Sequence, residues 1–127
     1  MVFGLQEKKM KSYIELDVWI EARKLVTHVS IITNDFPKEE MYGITNQIRR
    51  CSVSVPSNIA EGCGRQKAKD IIRFLYISRG SLYELETQLY VSNDLKFISE
   101  EKLNRLLSQI ETCKKLLNGF INYYKKL

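Results

Sequence analysis

Histidine, proline and glycine are scarce in these 127 residues, and each shortage removes a class of protein. Pro37 and Pro56 are the only prolines and glycine appears six times, too seldom for a turn-rich β fold and compatible with long helices. His28 stands alone, without the partners of a serine-type triad or a zinc finger. A ferritin-like di-iron site is also excluded, because it needs a Glu-x-x-His from two helices and Leu25 precedes His28 by three. Cys51, Cys63 and Cys113 form an odd set with no C-x-x-C pair, so they read as small buried hydrophobes. A reactive thiol at Cys63, beside glycines, is the alternative. No apolar run nears the roughly 20 residues that span a bilayer, and the N-terminus has no leader-like segment, so a cytoplasmic protein without a membrane role is expected.

What is present is helical period. The length fits a single domain over 1–127, with 1–15 a mobile basic arm carrying Lys8, Lys9 and Lys11. Val18, Ala22, Leu25, Val29 and Ile32 predict a first helix capped by Asp17 and finished before Pro37. A second is expected from about Lys38–Glu40 to Gly62 or Gly64, with a kink at Pro56. Ile71, Phe74, Leu75, Ser78, Leu82, Leu85 and Leu89 mark a third from about Ala68 to Ser92–Asp94. Ser99 caps a fourth, whose inner face carries Leu103, Leu106, Leu107, Ile110, Leu117, Ile121 and Tyr124. Short connections between long helices make this an all-α, antiparallel up-down-up-down four-helix bundle.

Three side-chain patterns carry the functional reading. Gln47, Arg50, Ser54, Asn58 and Glu61 share a polar stripe beside the core stripe of the second helix, and read as a hydrogen-bonded network in which a buried Arg50 finds a partner such as Glu61. A ligand site is the other reading. Ile72, Tyr76, Arg79, Tyr83 and Tyr90 line the third helix about 100° from its core stripe, a candidate oligomer interface; alternatively they widen contact with a neighbouring helix. Arg49, Arg65, Lys67, Lys69 and Arg73 are the candidate nucleic-acid-binding residues, the middle three following the glycines Gly62 and Gly64 at a helix start. That segment lacks the ending of a nucleotide-binding P-loop, so no cofactor is implied. The acidic pairs Glu39/Glu40, Glu84/Glu86 and Glu100/Glu101 suit helix starts or solvated faces, and no enzymatic activity is expected. A net charge of +5 permits attraction to phosphates without proving it.

The pattern Leu16, Val18, Trp19, Ala22, then Phe36, Pro37, Glu39, Tyr42, then Gln47, Arg49, Arg50, Ser54, Pro56, Asn58, Ile59, Ala60, Glu61, Gly62 and Arg65 resembles a known family. So does the later run Phe74, Leu75, Arg79, Gly80, Ser81, Leu82, Glu84, Leu85, Glu86 and Leu89. The family is that of the small four-helix-bundle proteins encoded within bacterial 23S rRNA intervening sequences. Cys51 and Ser78 depart from its pattern where a small residue such as Ala is usual. The resemblance implies a helical bundle without enzymatic activity. Through a related accessory protein of diversity-generating retroelements, it also implies a basic ring-like homopentamer that binds nucleic acid and a reverse transcriptase. Two functions therefore compete: an oligomeric accessory factor binding structured RNA or DNA through basic surface, and a protein-protein interaction scaffold with no nucleic-acid role.

Overall fold

The computed structural model describes residues 12–127. Lys8, Lys9 and Lys11 of the expected arm lie outside them; of that arm the structure describes Ser12 to Glu15. Ser12 Oγ accepts from the Ile14 N–H and closes a 3-10 turn over Tyr13–Glu15. Tyr13 then stacks edge-on against Trp19, with ring centroids 5.2 Å apart, and Leu16 is buried.

Four α-helices follow: α1 (Asp17–Thr33), α2 (Ile44–Cys63), α3 (Ala68–Asp94) and α4 (Glu100–Lys125). They differ from expectation at two starts. Leu16 rather than Asp17 occupies the N-cap of α1, without a side-chain cap. Its side chain is claimed by the core, and Asp17 instead places its charge in the first turn, at the positive end of the helix dipole. The segment Lys38–Glu40 forms a separate 3-10 turn, and α2 begins only after Gly43. Gly43 has φ −108° and ψ −119°, a pairing that side-chain-bearing residues rarely adopt, so the helical run cannot pass through it. Ser99 caps α4 as expected, its hydroxyl accepting from the Lys102 N–H.

Pro56 sits inside α2, which continues through it. Proline cannot donate to the Ser52 carbonyl. Nearby, the Ser52 hydroxyl donates to the Arg49 carbonyl and Ser78 of α3 donates to the Val55 carbonyl at 2.9 Å. The departure at Ser78 thus becomes a buried cross-helix hydrogen bond.

Neighbouring helices run antiparallel. Ser54 meets Ser81 and Val55 meets Ser78 across α2 and α3; Glu86 meets Lys114 and Arg79 meets Asn118 across α3 and α4. In each pair the residue number rises on one helix as it falls on the other. Helix α1 closes the square against α2 and α4. Leu25, Ile48, Ile59, Leu75, Leu82, Leu85, Leu89, Leu106, Ile110 and Leu117 fill the centre with no solvent exposure. Among the described residues no helix is long and apolar enough to cross a membrane.

Candidate nucleic-acid interface

The α2–α3 connection owes its shape to glycine, but not through a left-handed turn. No glycine among the described residues has positive φ. Gly62 is buried against α3: an added Cβ would lie 3.1 Å from Phe74 Cβ and 3.2 Å from the Ile71 carbonyl oxygen. Gly64 is the C-cap of α2, its N–H directed at the Ala60 and Glu61 carbonyls.

The tight turn brings Arg65, Lys67, Lys69 and Arg73 together at one end of the bundle. Arg65 donates to Glu61 Oε2 at 2.9 Å, one helical turn back, and its guanidinium lies 4.6 Å from the centre of the Phe74 ring. The Arg73 guanidinium lies 4.7 Å from the same ring. Lys67 and Lys69 are exposed. Helix α4 ends beside them, with Lys125 Nζ 5.5 Å from the Tyr76 ring. Tyr76 in turn shares a shallow depression of about 620 Å³ with Lys69, Asp70, Ile72, Arg73 and Ile77.

Arg49 does not join this group. It is some 16 residues back along α2, roughly 24 Å at 1.5 Å per residue. There it caps the C-terminus of α1, donating to Thr33 Oγ1 and Asn34 Oδ1 at 2.9 Å each and reaching the Ser30 carbonyl.

The polar stripe is not the buried network expected of it. Gln47, Arg50 and Glu61 are exposed. Arg50 and Glu61 are also three turns apart, too far to pair, and Glu61 is taken by Arg65. What remains is a smaller cluster in the α2–α3 groove. Ser54 Oγ is 2.6 Å from Ser81 Oγ, Asn58 donates to the Ser54 carbonyl, and the Cys51 thiol faces the Ser81 carbonyl and Glu84.

The tyrosine stripe divides. Arg79 donates to Asn118 of α4 and stacks on Tyr76, while Ile72 and Tyr76 pack against the core, so these three widen the α3–α4 contact. Tyr83 lies 4.2 Å from Lys114 Nζ, which also holds both carboxylate oxygens of Glu86 at 3.1 Å. Burial alone would push the Lys114 ammonium down, but Glu86, then Glu111 and Tyr83, outweigh it and hold it above the ordinary lysine value. Tyr83 and Tyr90 remain half exposed.

Burial pushes the Cys63 thiol up to about 11, which works against the reactive-thiol alternative. Burial, then the charge of Glu84, lifts Cys51 to about 12, and burial followed by Glu21 does the same for Cys113. No group of acidic, cysteine and histidine side chains that could hold a metal occurs among the described residues. His28 contacts Gln109 beside an apolar pocket of about 440 Å³ between α1 and α4.

Phe74 was not legible as a site residue; Lys125 stood in the basic run that ends the fourth helix, but its place beside this corner was not legible. Phe74 reads as core from its apolar period, and the approach of Lys125 depends on where α4 stops. The Glu61–Arg65 pair was not foreseen, Glu61 being expected to serve Arg50; the spacing of one helical turn is the signal that could have found it.

The architecture is that of an antiparallel four-helix bundle with a basic corner at the α2–α3 turn. A family model described as 23S rRNA-intervening sequence protein matches residues 14–119, and the chain belongs to that family. It is also similar in structure to a protein of unknown function from the S23 ribosomal protein family of Bacteroides thetaiotaomicron. The TM-score is 0.73 at 20% identity, over 82% of this chain and 97% of the other. No curated protein matches the chain significantly.

Proposed function

We propose that the protein is a non-enzymatic accessory factor that binds structured RNA or DNA through this basic corner, as a homo-oligomer that repeats the corner around a ring. The observation that supports it best is the gathering of Arg65, Lys67, Lys69, Arg73, Lys125 and Lys126 on adjoining ends of three helices, where Glu61 is already taken by Arg65. Each chain alone offers few phosphate contacts. Repetition by symmetry multiplies them, and affinity rises without any new kind of contact. The half-exposed Tyr83 and Tyr90 are the surface left over for self-association, and five subunits is the number the family resemblance implies.

The scaffold reading draws on a different place. The α2–α3 groove, of about 460 Å³, carries exposed Arg50 and a buried Gln88 Oε1 with no hydrogen-bond partner. A protein segment rather than a phosphate backbone would suit it.

Charge removal separates the two. The triple variant Arg65→Ala, Lys67→Ala, Lys69→Ala should lower affinity for a labelled stem-loop RNA at least tenfold in fluorescence anisotropy while keeping wild-type helicity. Unchanged affinity in that variant, or no binding by the wild type near physiological salt, would favour the scaffold.

A further inference from the structure

Two kinds of cation meet at the basic corner. Lys67 and Lys69 are exposed, compact charges on flexible stems, suited to following phosphates. Arg65 and Arg73 are planar, and both lie against the ring of Phe74, at 4.6 and 4.7 Å. Arg65 is further fixed by Glu61, whose carboxylate offsets its charge toward a phosphate and leaves its flat guanidinium as the available surface. Phe74 is itself held close to the helix behind it, because its Cβ packs on the buried Gly62, where an added Cβ would lie only 3.1 Å away.

We propose that Arg65 and Arg73, backed by Phe74, form a stacking platform for unpaired bases, so that the corner prefers loops, bulges or strand ends over continuous duplex. The proposal rests on reading this corner as the nucleic-acid interface and adds which part of the nucleic acid it takes. A duplex hides its base faces and offers only phosphates; an unstacked base offers a π-surface that guanidinium planes accept without regard to sequence. Lys67 and Lys69 then hold the phosphates on either side of the stacked base.

The test compares a stem-loop RNA with a fully paired RNA duplex of equal length and charge, on wild-type protein and on the double variant Arg65→Lys, Arg73→Lys. That variant keeps the net charge and loses both planes. Wild type should bind the stem-loop roughly tenfold more tightly, as one stacked base provides. In the double variant that ratio should fall to near one while the salt dependence is retained. Phe74→Leu, which keeps an apolar group against Gly62, should reduce the ratio as well, and circular dichroism checks that both variants remain helical. Equal wild-type binding to the two RNAs, or a ratio that survives both variants, would overturn the stacking platform and leave the basic corner standing. Absence of binding to either RNA would overturn both.

Discussion

Lys96 carries the only positive φ of a non-glycine residue among the described residues, 65°. It ends α3 in a Schellman arrangement: the Phe97 N–H reaches the Ser92 carbonyl and the Lys96 N–H reaches that of Asn93, each at 2.9 Å. Glycine adopts this conformation without the penalty of a Cβ, so Lys96→Gly should stabilise the fold by about 0.5–1 kcal/mol, seen as a rise in Tm. The cysteines make a second prediction at this scale. Their native thiols titrate near 11–12 against an ordinary value of 9.0, so an unfolded chain loses those protons first. The stability conferred by burying neutral thiols is then complete below pH 9 and is lost as pH rises toward 12. The raised Lys114 acts in the same direction, its contribution being lost only as pH rises above the ordinary lysine value of 10.5. In reducing buffer Tm should fall above pH 9, and the fall should be shallower in Cys51→Ala, Cys113→Ala. An equal fall in that variant would show that the thiols are not responsible.

Two glycines on adjoining helices differ in a way that only packing explains. At Gly62 a Cβ would press on Phe74 and on the Ile71 backbone, so Gly62→Ala should cost about 1–3 kcal/mol in chemical denaturation. At Gly80 it would meet nothing within 4 Å, and Gly80→Ala should stabilise α3 by up to about 1 kcal/mol. Arg49→Ala should destabilise by about 1–2 kcal/mol through loss of the α1 cap and leave RNA affinity unchanged. The helices themselves were legible because burial of Leu75, Leu82 and Leu89, or of Leu103, Leu106 and Ile110, imposes a 3.6-residue period that composition cannot disguise. The α2 start was not, since the acidic residues of Lys38–Glu40 suit a helix and nothing in their pattern reveals the backbone of Gly43. Of the candidate site, the run Arg65 to Arg73 held together because one turn carries it. Arg49 fell away because its alternative partners, Thr33 and Asn34, come from a helix end that only the packed bundle brings near.

For the whole molecule, the quantity that decides the proposed function is how many phosphates the basic corners of an assembly would engage. Each contact that releases a counterion adds about 0.9 to the slope of log affinity against log salt for duplex and about 0.7 for single strands. A protein binding through surface charge repeated by symmetry has a steep slope; a scaffold whose charge serves solubility has no affinity to titrate. Subunit number, read by native mass spectrometry, sets how many corners contribute. Tyr83 is a poor place to test the proposed assembly with an acid, because Lys114 already lies against its ring and would pair with the new carboxylate; Tyr90→Glu avoids that partner. The most direct measurement is a salt titration of binding to a fluorescently labelled structured RNA, with a DNA duplex of equal length as competitor. Tight binding that weakens steeply with salt is the predicted result. No detectable binding near physiological salt, or affinity that is flat across the titration, would contradict it.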